Sequence, residues 1–212
     1  MEAVLGSGHD AVAVDLPGHG ARSDERFTFR GALDAIDHAV ESFPVPPLLV
    51  GLSLGGYTSL AYAARHQHKV AGVVLSGCST EIKGKPLGLY RHVSTQVVRA
   101  LRPTESTWHV VTDMLGALKG YSSLRDLRRL VVPVWLVNGQ MDPLRLEEWR
   151  YRLALPTARL YVVPRAGHDV NSHAPEVFNR ILFGALHELR SAAEHLAPHR
   201  LTAHRVRTPA LV

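Results

Sequence analysis

One cysteine, Cys78, stands in a chain of 212 residues, so no disulfide can form within it. That excludes a small secreted fold stapled by disulfides and suits a reducing compartment. No apolar run approaches the roughly 20 residues that span a bilayer. The opening Met1-Glu2-Ala3-Val4-Leu5-Gly6 has neither the basic start nor the apolar stretch of a signal peptide. A cytoplasmic location and no membrane partner are therefore expected. Positive charge is also thin. The formal charge is +5, and Arg200, Arg205 and Arg207 supply three of those charges in a tail that carries no acid after Glu194. The body shows no Lys/Arg stripe, so no nucleic-acid partner is expected.

What is present is an alternation of short apolar strands with amphipathic helices, in a length that suits one domain. That pattern predicts an α/β fold with a mainly parallel sheet flanked by helices. Residues 11–15, 48–52, 70–76, 132–137 and 159–163 read as strands, the first of them buried. Residues 29–43, 55–66, 144–155 and 175–196 read as helices, with Pro175 at a first turn. Residues 77–130 break the rhythm, with a loop at 84–88 and helical spacing over 90–101 and 107–118. They read as an inserted helical cap between two core segments, 1–76 and 131–196. Residues 197–212 lack periodicity and are expected to be a disordered basic tail.

Gly51-Leu52-Ser53-Leu54-Gly55 matches G-x-S-x-G between a predicted strand and a predicted helix, the context that motif requires. A serine on such a turn is lifted above the sheet edge, and the Leu54 N–H at the helix start is placed to donate to an oxyanion. Side chains at 51 or 55 are expected to collide with backbone, and Gly56 to allow close helix packing.

A serine hydroxyl needs a base. Thirteen histidines compete. His168 follows the last strand and precedes the last helix, which places it at the carboxyl edge of a parallel sheet beside Ser53. Asp142 follows the penultimate strand, where a carboxylate can hold the imidazole in the required tautomer. The alternative reading of Asp142 is an Asp-Pro helix start. Glu81, after the third strand, is the rival acid.

Four blocks carry a resemblance: Asp15 to Ser23, Gly51 to Gly56, Asn138 to Asp142, and Ala166-Gly167-His168. Together they resemble the α/β-hydrolase superfamily over residues 9 to about 190. The resemblance implies Ser53 as nucleophile, His168 as base, Asp142 as acid and the Leu54 amide in the oxyanion hole. It also implies a cap over the site, no metal and no organic cofactor. Members of the superfamily usually begin with further strands, of which one lies between the strands at 11–15 and 48–52. Its loop supplies the second oxyanion donor. The resemblance therefore implies that the first strands and that donor are missing here, as in an N-terminally shortened chain.

Within the cap, Trp108, Met114 and Leu115 are the expected lining of a modest apolar pocket. The expected activity is hydrolysis of small carboxylic esters, lactones or thioesters through an acyl-enzyme. The alternatives are an acyltransferase, or a catalytically impaired remnant or ligand-binding module on the same fold.

Overall fold

The computed structural model describes the backbone of residues 2–85 and 108–201, with side chains except at 108–111 and 196–201. The predicted helix at 90–101 and the last part of the predicted tail lie outside these residues. A short exposed helix, α1 (Glu2–Gly6), leads into α2 (Phe29–Glu41), β1 (Leu48–Leu52), α3 (Leu54–Arg65) and β2 (Gly72–Ser76). After β2 come α4 (Trp108–Ala117) and α5 (Ser123–Leu127). Then follow β3 (Val134–Gly139), α6 (Glu148–Ala154), β4 (Arg159–Val163), α7 (Val170–His173) and α8 (Pro175–Leu201).

The described strands form one sheet in the order β1-β2-β3-β4, every pair parallel. The register aligns the carboxyl ends: Leu52 pairs with Ser76, Ser76 with Val137, and Gly139 with Val163. The loops after all four strands therefore open on one edge of the sheet, where α/β folds place their ligands.

Side chains on the central strands alternate between two cores, as the two-residue strand period requires. Val73, Leu75, Val134 and Leu136 join the core built with α2, α3 and α5. Val74, Trp135 and Val137 join the opposite core, with Val170, Phe178, Leu182 and Ala185. Continuous apolar runs such as 72–75 are what a strand covered on both faces demands. Helix α2 starts where the Thr28 hydroxyl accepts the Gly31 N–H at 3.0 Å, and it buries Ala32, Ile36 and Val40.

Two expectations are corrected. Residues 11–15 are not a strand. They run as irregular chain, with Val12 55% and Val14 37% exposed. Their apolar alternation needs a neighbouring strand to become a ladder, and none is present among the described residues; β1 pairs only with β2. Val50 in β1 is accordingly 45% exposed. The final helix also runs on to Leu201, five residues into the stretch expected to be disordered. Ala197, His199 and Arg200 are compatible with that helix, whereas Pro198 within it has no N–H to give to the helical ladder.

The short helix α5 was not apparent from apolar spacing. Its start is fixed instead by the Ser122 hydroxyl, which accepts the Arg125 N–H at 3.3 Å, and by a buried carboxylate, Glu81. No described helix is long and apolar enough to cross a membrane.

Candidate active site

Strand β1 ends at Leu52 and α3 begins at Leu54, so the entire reversal falls on Ser53. Its backbone sits at φ 52°, ψ −114°, a conformation that costs a non-glycine residue of order 1–3 kcal/mol. The surroundings enforce it. The Ser53 N–H donates to the Ser76 carbonyl at 2.8 Å, which carries the ladder one residue past the strand end. The Tyr57 N–H donates to the Ser53 carbonyl at 3.0 Å, which closes the first turn of α3. A serine at a helix start normally spends its hydroxyl on the helix's own N–H groups. Here the twisted backbone turns it away, and Ser53 makes no side-chain capping bond. The first N–H groups of α3, Leu54 among them, have no intrahelical acceptor and lie beside it.

The two glycines of the motif have different reasons. A Cβ on Gly51 would fall on the Gly55 carbonyl and lie 2.6 Å from the Gly56 nitrogen. A Cβ on Gly55 would meet no described atom within 4 Å, so the collision expected there is not found. Gly55 sits on the open side of the helix, whereas Gly51 faces the turn. Gly56 is needed because its Cβ would come 2.6 Å from Cys78 Sγ.

His168 and Asp142 meet across the neighbouring loops. His168 Nδ1 lies 3.0 Å from Asp142 Oδ2. The Asp142 side chain is fully buried, while the His168 side chain is 27% exposed. The other carboxylate oxygen, Oδ1, accepts the Leu144 N–H at 2.8 Å. Asp142 thus starts a helical turn as well as facing the imidazole: one oxygen caps the turn Pro143–Arg145 and the other meets the histidine. The two loops are laced together by the Met141 N–H to the Ala166 carbonyl and the Gln140 N–H to the Val163 carbonyl, each at 2.9 Å.

Two glycines that the sequence reading did not single out shape this corner. Gly139 passes so close to the loop at 166–167 that a Cβ would fall on both carbonyls there. Gly77, at φ +60°, lies beneath the imidazole, where a Cβ would be 3.0 Å from His168 Cε1. A signal existed for both at the carboxyl edge, since Gly77 directly follows the predicted strand 70–76 and Gly139 stands two residues past the predicted strand 132–137.

Not every candidate converges. No hydrogen bond joins Ser53 Oγ to His168 among the described residues, a looseness common in sites without substrate. Glu81 makes no hydrogen bond to the histidine among the described residues. It is buried at the base of the segment after β2, accepting the Ser123 hydroxyl at 3.0 Å and the Leu124 N–H at 2.8 Å. Met114 packs against the core of α2 and α3, and Leu115 is half-buried. The Trp108 side chain lies outside the described residues.

Cys78 is buried behind the turn of α3. Burial, and secondarily the nearby charge of Asp142, push its thiol up to about 12. A thiol with a raised pKa stays protonated, and unreactive, at all pH values below that. Iodoacetamide at pH 8 is therefore expected to leave Cys78 unmodified in the folded protein and to modify it fully in denaturant, as read by intact mass.

The α/β-hydrolase family profile matches residues 1–181. The chain belongs to that family. Among curated relatives, a pimeloyl-acyl-carrier-protein methyl ester esterase of Neisseria meningitidis serogroup A is 28% identical over 214 aligned residues. That alignment covers 82% of this chain and 66% of the relative, so the chain spans just under two thirds of that relative's length. The enzyme of the same name from Chromobacterium violaceum is 26% identical, with 86% and 82% covered. Among solved structures, NosK from Streptomyces actuosus superposes with a TM-score of 0.70 at 24% identity, covering 91% of this chain and 90% of that one. A bromoperoxidase from Bacillus anthracis gives 0.69 at 16% identity, covering 87% and 84%. The structural likenesses establish the fold.

Proposed function

We propose that this chain is a serine hydrolase of small carboxylic esters, with Ser53 as nucleophile, His168 as general base and Asp142 as the group that orients it. The observation that carries this reading is the 3.0 Å contact between His168 Nδ1 and the buried Asp142 carboxylate. A buried carboxylate accepting the Nδ1–H leaves Nε2 unprotonated, which is the tautomer a base requires. Ser53 then serves as the nucleophile of an elbow, with its hydroxyl not committed to the helix.

In the reaction, Ser53 Oγ attacks the ester carbonyl carbon as His168 Nε2 takes its proton. The Leu54 N–H stabilises the oxyanion. Collapse expels the alcohol, which receives that proton from Nε2, and leaves an ester on Ser53. Water, deprotonated by Nε2, attacks this acyl-enzyme; Ser53 leaves with the proton and the acid is released. Curated relatives named as methyl ester esterases support a short alcohol group on the substrate. The residues between β2 and β3 are proposed as a cap over Ser53, with Trp108, Met114 and Leu115 as candidate lining.

One observation favours a second reading, a slow enzyme or a binding module. The outer edge of β1 has no partner among the described residues, and the chain at 11–15 is irregular. In the superfamily, the region beside β1 supplies the second oxyanion donor, and losing one donor costs roughly 100- to 1000-fold in rate.

A panel of methyl and p-nitrophenyl esters of short acids separates the readings. Hydrolysis by the wild type, abolished in Ser53→Ala, is the expected result. Release of acid without turnover into added alcohol distinguishes hydrolysis from acyl transfer. Equal rates in wild type and Ser53→Ala would overturn the proposal.

A further inference from the structure

The loop that carries Asp142 is held from below by a buried polar cluster centred on Asn138, at the end of β3. Asn138 is fully buried. Its Nδ2 donates to Glu148 Oε2 at 2.8 Å and to Ser79 Oγ at 2.9 Å, and its Oδ1 accepts the Ser79 hydroxyl at 3.1 Å. Glu148, at the start of α6, also takes Arg145 Nη2 at 3.1 Å, and Arg145 Nη1 donates back to the Gln140 carbonyl at 3.2 Å. Gln140 Oε1 in turn accepts the Arg165 N–H at 3.2 Å, in the loop that carries His168. The cluster thus closes around residues 139–145 from three sides: the segment after β2, the first turn of α6 and the loop of the base.

We propose that Asn138 and Glu148 are positioning residues that hold Asp142 in register with His168, an inference that rests on the proposed Ser53–His168–Asp142 reading. Neither touches the imidazole. Their amide and carboxylate occupy a place that apolar side chains of the same size would fill as well if packing were the only need. A buried network with all its members satisfied fixes one arrangement of the loops it joins. Here its buried part, Asn138 with Ser79 and Glu148, anchors the loop of Asp142, and the exposed bond from the Arg165 N–H to Gln140 Oε1 ties that loop to the one carrying His168, across the 3.0 Å contact. The carbonyl of Gly139 accepts the Asp142 N–H at 3.1 Å, so a shift of residue 138 passes directly to the carboxylate.

The test uses the full chain and a readout independent of turnover. In protein carrying ¹⁵N-labelled histidine, the ring N–H of His168, assigned with a His168→Gln control, reports its bond to Asp142. Glu148→Ala removes one acceptor of Asn138 and frees Arg145; Ser79→Ala breaks the cluster on its other side. Either variant is expected to broaden or abolish that resonance. Either is also expected to slow fluorophosphonate labelling of Ser53 by about 10- to 100-fold, the scale of a misplacement of about 1 Å. For an ester that the wild type turns over, kcat is expected to fall with KM unchanged. Glu148→Gln, which keeps one acceptor oxygen for Asn138 but sets its amide nitrogen against the donor Arg145, is expected to lie between wild type and Glu148→Ala in rate. A wild-type resonance in both Glu148→Ala and Ser79→Ala would overturn the proposal, and Ser79→Ala decides it if Glu148→Ala does not fold. Failure of the underlying reading has a different signature: no labelling of Ser53 in the wild type, with the resonance still lost in the variants.

Discussion

An Asp142→Asn variant is expected to fold normally and to lose about four orders of magnitude in turnover, the scale seen when an orienting carboxylate becomes an amide. The reason lies in how the carboxylate is used. Oδ1 accepts the Leu144 N–H at 2.8 Å, and Oδ2 faces His168 Nδ1 at 3.0 Å. An asparagine has one acceptor oxygen. Keeping the backbone bond turns the amide nitrogen toward the imidazole, where a donor meets a donor unless Nδ1 gives up its proton. The ring then carries its proton on Nε2 and cannot take one from Ser53. Turning the amide the other way leaves the Leu144 N–H facing a donor in a buried corner, at a cost of about 1–3 kcal/mol. Steady-state kinetics together with thermal unfolding checks this. A large loss of kcat with little change in Tm is the expected pair. A rate within ten-fold of wild type would show that the carboxylate is only a helix cap.

Gly51→Ala is expected to be severely disruptive and Gly55→Ala benign, although both glycines belong to one motif. The Cβ at 51 would land on backbone at the start of α3, on the Gly55 carbonyl and near the Gly56 nitrogen. Backbone cannot rotate away as a side chain can, so β1 and α3 must separate. Overpacking typically costs 1–3 kcal/mol and more where backbone is struck, a large share of a stability of about 5–15 kcal/mol. The conformation of Ser53 depends on that same contact, so labelling of the serine is expected to vanish with it. At Gly55 the space is open among the described residues, and alanine in a helix is favoured over glycine by up to about 1 kcal/mol. Thermal melts of the two variants are expected to move in opposite directions. Equal destabilisation would mean that the helix start is packed differently.

The contrast between those glycines marks the limit of what could be read without coordinates. G-x-S-x-G identifies the turn, but which glycine is crowded depends on which side of the turn faces the strand. The residues of the candidate site were legible because each stands at a punctuation point. Ser53 follows 48–52, Asp142 follows 132–137 and His168 follows 159–163, and a parallel sheet gathers such points on one edge. The parallel sheet flanked by helices was legible from the alternation of short apolar runs with helical spacing, whereas its division into two cores was seen only in the structure.

Three features were not legible, each because it depends on a partner far along the chain. Residues 11–15 have strand composition, but a ladder needs a second strand; the resemblance implied that the neighbouring strand is missing, yet composition alone still marked 11–15 as a strand. Glu81 stands in a loop-like stretch, yet it caps α5 from 43 residues away. Asn138 lies inside a recognised block whose weight fell on Asp142, and its ties to Ser79 and Glu148 depend on side-chain geometry. Buried polar networks follow no period, so hydrophobic patterning passes over them.

The most direct measurement is fluorophosphonate labelling of the purified chain, mapped by mass spectrometry beside Ser53→Ala and a heat-unfolded control. Labelling confined to the peptide carrying Ser53, absent in the variant and after unfolding, is the result expected of an activated serine on this turn. A folded protein that takes up no label, or that labels equally in Ser53→Ala, would contradict the assignment of Ser53 as nucleophile.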